Sequence, residues 1–171
     1  MARYGTTGRI AIYFVPTVAS IAAPKVSEIS AGVNLSDYIT RDGLKTPSSG
    51  NTIDASDIGS RFNKTAPGTY GGDAAEITAH RDSKSATDLA WSTLPQDAPG
   101  FLVIARQGFA QAVGTGLGTK NGTPTVGDRC EVLAVTVISR ALNDTGDNET
   151  SKFTASMAIT AEPAQDAVVA T

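Results

Sequence analysis

Apolar residues recur at every second position along much of this chain. Residues 152–161 (KFTASMAITA) show it most clearly. Phe153, Ala155, Met157, Ile159 and Ala161 fall on one face; Lys152, Thr154, Ser156 and Thr160 fall on the other, with Ala158 among them. A period of two is that of a strand with one buried face. Residues 75–81 (AEITAHR) repeat the pattern, with Ala75, Ile77 and Ala79 against Glu76, Thr78 and His80. Residues 10–15 (IAIYFV) form a short β-rich run stopped by Pro16, and residues 101–105 (FLVIA) read as a buried strand by composition. Residues 33–39 (VNLSDYI) alternate less cleanly and are also expected to be a strand.

The chain is organised around residues 128–140 (DRCEVLAVTVISR). From Cys130 to Ile138 every residue except Glu131 is apolar or Thr, and no Gly or Pro interrupts. Glu131, Leu133, Val135 and Val137 lie on one face, and Cys130, Val132, Ala134, Thr136 and Ile138 on the other. Both faces are apolar, so this strand should be covered on both sides.

Helical spacing is rarer. Residues 85–94 (SATDLAWSTL) place Ala86, Leu89, Ala90, Thr93 and Leu94 on one stripe. Ser85 with Asp88 resembles a capping box, and Pro95 and Pro99 end the segment. Leu89 and Leu94 are expected to pack on the sheet. Residues 25–31 predict one helical turn, with Ser27 as a weak cap.

Three stretches are polar. Residues 40–73 contain five large apolar residues, Leu44, Ile53, Ile58, Phe62 and Tyr70, in a background of Gly, Ser, Thr, Asn, Asp and Pro. They read as a long loop unable to order itself, its apolar residues acting as anchors for another surface. Residues 108–127, with six glycines, read as a flexible loop. Residues 143–150 (NDTGDNET) read as a turn. The order of strands, one helix, then strands predicts a mainly β fold: a β-sandwich or barrel with one flanking α-helix. A length of 171 residues suits a single domain, with arms at 1–9 and 162–171.

Composition narrows the function. Only 6% of the residues are aromatic, so the core must be Val, Ile, Ala and Leu. The net charge of −3 argues against a free nucleic-acid binder. No apolar run approaches the roughly 20 residues that span a bilayer, and the apolar run after Arg9 is too short for a secretion signal. The chain is therefore expected to stay in a cytoplasm. Cys130 is the single cysteine and reads as a small buried hydrophobe, which leaves no disulfide and no zinc framework.

Candidate chemistry is sparse. A Ser-His-Asp or Cys-His site would have to use His80, the single histidine, which sits on a polar strand face. The Gly-rich run 114–120 lacks Gly before Lys120 and Ser or Thr after it, so it is not a Walker loop. Asp144, Asp147, Asn148 and Glu149 do not match a calcium-loop spacing and read as a solvated turn. No catalytic, metal or cofactor site is expected.

Three segments taken together carry a family signal: VSEISAGVNLSDYI at 26–39, GTYGGDAAEIT and DLAWSTLPQDAPGFLVIAR within 68–106, and KFTASMAITAEPAQDA at 152–167. In order and spacing they resemble the major tail protein, or tail tube protein, of long-tailed phages infecting actinobacteria. The resemblance implies a β-sandwich subunit that closes into hexameric rings, which stack into a tube in the virion tail. It implies assembly in the host cytoplasm on the tape-measure protein, contact with the tail terminator and distal tail protein, and passage of phage DNA without sequence-specific binding. Other phage virion parts, such as a tail terminator or a capsid decoration protein, are the alternative, followed by a carbohydrate-binding β-sandwich. Trp91 stands alone on a helix, which counts against the last.

Within that family picture, Leu44, Ile53, Ile58 and Phe62 are expected at inter-subunit contacts. Glu76, Thr78, Thr154, Ser156 and Thr160 are expected to face the channel, with Ile77, Phe153, Met157 and Ile159 toward the core. Lys152 should lie near a ring edge or pair with Glu131 or Glu149. Residues 162–171 are expected to be an arm between rings.

Overall fold

Strand β8 (Arg129–Asn143) is the axis of the fold, and its length lets it serve two neighbourhoods at once. The computed structural model describes residues 5, 8–46, 48–111, 116–143 and 149–171. Chain order is β1 (Ala11–Val15), α1 (Val26–Ser30), β2 (Val33–Asn34), β3 (Ile39–Lys45), β4 (Ser48–Asp54), β5 (Thr65–Gly72), β6 (Ala75–His80), α2 (Leu89–Thr93), β7 (Pro99–Ala105), β8, β9 (Lys152–Ile159) and β10 (Ala164–Val168). The main sheet runs β2-β1-β7-β8-β9-β6-β3, with every pairing antiparallel. One edge of β8 holds β7. The other holds β10 opposite Arg129–Val132 and then β9 opposite Val135–Asn143.

The sheet curls until its ends meet. β2 and β3 terminate the strand order, yet only residues 35–38 separate them. Five Cα steps reach at most about 18 Å, whereas seven strands laid flat would hold their end strands about 29 Å apart. The short connection is stitched to both sides: Leu35 N–H donates to Ile12 O at 2.8 Å, and His80 N–H donates to Tyr38 O at 2.8 Å. The curled face encloses one core, built from Ile12, Phe14, Leu102, Ile104, Leu133, Val135, Val137, Ile77, Phe153 and Met157.

The outer face of the sheet is covered over β1, β7 and the first half of β8. There Ala11, Val15, Val103, Cys130 and Val132 meet Ile29 of α1, Phe109, Ala167 and Val169 in a second core. The expected cover on both faces of β8 holds for its first half only: the curled sheet covers one face and α1, Phe109 and the C-terminal strand cover Cys130 and Val132 on the other, while Ile138 is 48% exposed.

Several expectations are corrected. Residues 33–39 are not one strand, because Asn34 Oδ1 accepts from Ser36 N–H at 2.9 Å and turns the chain. Residues 40–73 are not a structureless loop: β3 joins the main sheet, and β4 pairs with β5 in a separate two-stranded hairpin. Leu44 lies opposite Ile77 and packs on its own subunit's core, so it is not a free anchor. The 85–94 helix shrinks to Leu89–Thr93, because Asp82 captures Lys84 N–H and Thr87 Oγ1 and makes a turn of 82–88. Leu94, just past the end of α2, is wholly buried, but Leu89 at its start is 42% exposed.

The 108–127 segment is organised where it is described. Phe109 is buried, and its backbone N–H and C=O both pair with Thr119 at 3.0 Å. A Cβ on Gly118 would stand 2.0 Å from Phe109 O, so only glycine allows that approach. Asp128 anchors the segment by accepting N–H bonds from Ala110, Gln111 and Thr125 at 2.9–3.0 Å. The C-terminal residues 162–171 are no loose arm. β10 adds to β8, Val169 is buried, and Val26 N–H donates to Ala170 O at 3.1 Å. Most of the 1–9 arm, residue 47, residues 112–115 (the start of the Gly-rich run 114–120 among them) and 144–148 of the polar turn lie outside the described residues.

Candidate functional site

Two surfaces are left over once both cores are closed. The first is the outer face of β6, β9 and the second half of β8, which no element among the described residues covers. Antiparallel register sets Glu76 opposite Ser156, Thr78 opposite Thr154 and His80 opposite Lys152. Alternation sends Ile77, Phe153 and Met157 inward, where all three are fully buried. The polar set therefore shares one face, as its spacing predicts. A network of short side chains ties it together. Thr78 Oγ1 and Thr154 Oγ1 share a bond of 2.9 Å, Asn143 Nδ2 donates to Thr154 Oγ1 at 2.6 Å, and His80 Nδ1 and Thr150 Oγ1 are 2.7 Å apart.

Charge on this face is cancelled locally. Lys45 Nζ lies 3.0 Å from Glu76 Oε2, and Lys152 Nζ lies 3.1 Å from Glu149 Oε2. Of the two carboxylates expected as partners of Lys152, Glu149 takes the role. Glu131 is held instead by Arg106 at 2.7 Å.

The sequence reading missed part of this face. A bulge between Val137 and Ser139 shifts the register, so Ser139 faces Ser156, Ala141 faces Thr154 and Asn143 faces Lys152. Ser139 and Asn143 extend the polar surface across a third strand. Periodicity alone does not find them, because the bulge breaks the count by twos after Val137. Thr160 lies beyond the end of β9 and lines a groove rather than this face.

The second surface is the hairpin. Every residue of β4 is exposed, and the hairpin pairs with no other strand among the described residues. Ile53, Ile58, Phe62 and Tyr70 are 60%, 112%, 75% and 71% exposed. Where the hairpin leaves the barrel there is a groove of about 700 Å³. Tyr70 and Gly72 form its hairpin wall; Leu133, Ile159, Pro163 and Glu162 line its barrel side. The hairpin base is seated tightly, since a Cβ on Gly72 would meet Ile159 Cδ1 at 2.6 Å. Tyr70 donates its hydroxyl to Glu162 Oε1. That bond and the carboxylate's charge push the Tyr70 hydroxyl above its ordinary pKa.

His80 bonds Thr150, and among the described residues it bonds no carboxylate. Cys130 is buried, and desolvation, followed by the charge of Asp128, pushes its thiol up to about 12, so it stays protonated. Among the described residues no group of three or more His, Cys, Asp or Glu is placed to hold a metal ion. No helix among them is long and apolar enough to cross a membrane.

A family profile described as phage tail tube protein matches residues 1–171. The chain belongs to the phage tail tube protein family. No curated protein sequence matches it. Among solved structures, a chain of the anti-feeding prophage baseplate, solved with six-fold symmetry imposed, superposes with a TM-score of 0.59 at 10% identity. The match covers 94% of this chain and 95% of that one. A chain of the anti-feeding prophage cap, a tube-terminating cap, superposes with a TM-score of 0.50 at 14% identity, covering 98% of this chain and 91% of that one. At such identities the likeness is one of fold. This tail tube protein is a structural component of the phage tail, and the mainly β fold expected from its strand pattern is the one it has.

Proposed function

We propose that this tail tube protein polymerises as hexameric rings stacked into a tube, with no enzymatic activity, and that the hairpin joins one ring to the next. The hairpin is the observation that carries the reading. An isolated two-stranded hairpin is marginal in water, and this one exposes three large aliphatic or aromatic side chains at Ile53, Ile58 and Phe62. Such a patch marks an interaction site, and burial on a neighbouring copy supplies the missing layer.

The bare face of β6, β9 and β8 suits the channel wall. Glu76, Thr78, Thr154 and Ser156, with Ser139 and Asn143, present hydroxyls, an amide and neutralised charges. Phosphate affinity comes from unpaired Lys and Arg, and both lysines on this face are paired. DNA would slide past such a wall without being held. Tape-measure protein, tail terminator and distal tail protein are the partners this role requires.

The test is a variant with residues 51–67 replaced by a short Gly-Ser turn. It should remain a folded monomer and form no tubes in electron micrographs of concentrated protein. Normal tubes from this variant overturn the hairpin's role. Single closed rings from the unaltered chain would favour a terminator instead.

A further inference from the structure

The hairpin reading leaves open what receives the tip, and the groove at the hairpin base answers in shape and charge. We propose that the tip of one copy seats in the groove of a second copy, with Phe62 and Ile58 against its apolar lining and Arg61 against Glu162. The proposal rests on the hairpin being an inter-subunit element and adds its receiving surface.

Three observations converge. First, the groove has an apolar lining of Leu133, Ile159, Ala161 and Pro163 and a volume of about 700 Å³, room for more than one large side chain. The two most exposed large apolar side chains among the described residues, Ile58 and Phe62, both lie at the tip. Second, the charges left over are complementary. At the tip, Lys64 is paired with Asp57 at 3.4 Å, whereas Arg61 has no ion-pair partner among the described residues. In the groove, Glu131 is taken by Arg106, whereas Glu162 is bonded through one oxygen to the Tyr70 hydroxyl and pairs with no cation among them. One free guanidinium and one free carboxylate oxygen remain, the pair that forms charge-assisted bonds.

Third, a copy cannot serve itself. The ladder from Ser48 to Asp54 holds the tip about 20 Å from the hairpin base at ~3.4 Å per residue. Tip and groove are therefore separate patches on one subunit. A contact between unlike patches is head-to-tail, and where its rotation does not close a ring it propagates along an axis. Elongation of a tube needs a contact of that kind.

The experiment uses the full chain. Arg61→Glu and Glu162→Arg, made singly, place like charges together and should each raise the critical concentration for tube formation about tenfold or more. The double variant R61E/E162R should recover most of the loss. Glu162→Gln, which keeps an acceptor for Tyr70, should show a smaller rise. Sedimentation and circular dichroism of the monomers confirm that each variant is folded. If the hairpin-replaced chain forms normal tubes, the hairpin reading falls and this inference with it. If that chain forms none while both single charge variants assemble like the unaltered protein, the hairpin reading stands and the groove is not its receptor. Losses in both singles without recovery in the double also overturn the pairing of Arg61 with Glu162.

Discussion

Arg140 lies directly across the β8–β9 ladder from Ala155, a fully buried core residue. Counting by twos from Leu133 would put position 140 on the other face. The bulge between Val137 and Ser139 resets the count, and Arg140 turns inward over Trp91. Its guanidinium carbon is 3.9 Å from the centre of the indole, and Arg81 covers the ring from 4.0 Å. Arg140 Nη1 also donates to Trp91 O at 3.0 Å. Trp91 in turn meets Phe153 edge-on, with ring centres 5.1 Å apart.

Removing that guanidinium should therefore cost stability without touching assembly surfaces. Arg140→Ala is expected to lower unfolding free energy by about 1–2 kcal/mol through loss of the stacking and the backbone bond. Arg140→Lys should recover little, because an ammonium cannot both stack on the indole and reach the carbonyl in the same way. Urea melts of the three proteins measure the difference.

Leu89, at the start of α2, and Leu94, just past its end, should behave differently. Leu94 is wholly buried, so Leu94→Ala should cost about 2–5 kcal/mol. Leu89 is 42% exposed, so Leu89→Ala should cost less than Leu94→Ala, about 1 kcal/mol or less. Equal losses in thermal or urea melts would contradict the orientation of the helix.

A chain ending at Pro163 should be less stable. It loses β10 from the edge of β8 and uncovers the second core. Burial of Val169 alone accounts for roughly 1.5–3 kcal/mol. An unchanged urea midpoint would show that the C-terminal strand is not part of the cooperative fold.

Alkaline pH should destabilise the protein through Cys130. Folding raises this thiol from 9.0 to about 12. A group raised on folding contributes its full stability below the unfolded value and loses it as pH climbs through the folded value. Stability should thus fall progressively between pH 9 and about 12. Cys130→Ala should flatten that decline. At pH 8 the folded chain should also resist iodoacetamide until urea unfolds it, which mass spectrometry reads directly.

The sequence by itself determined the strands whose pattern is local. Residues 75–81 and 152–161 alternate because one face of each meets the core, and that requirement is written into successive side chains. The apolar run from Cys130 to Ile138 determined that β8 would be a core strand, and its first half is covered on both sides. The family resemblance carried by VSEISAGVNLSDYI, GTYGGDAAEIT and KFTASMAITAEPAQDA pointed to a tail tube protein, and the full-length family match agrees.

Tertiary structure decided what depends on a distant partner. Ala164–Val168 has no strong alternation, and it became a strand because β8 offered an open edge. Leu44 and Ile53 look alike in a polar stretch. One was claimed by Ile77 across a ladder and the other was left in solvent, a difference that only register creates. The turn at Asn34, four residues that join the ends of the sheet, closed the barrel and separated covered from bare outer face. The bulge at Ile138 then decided which residues of β8 share that bare face, because one extra residue reverses every side chain after it.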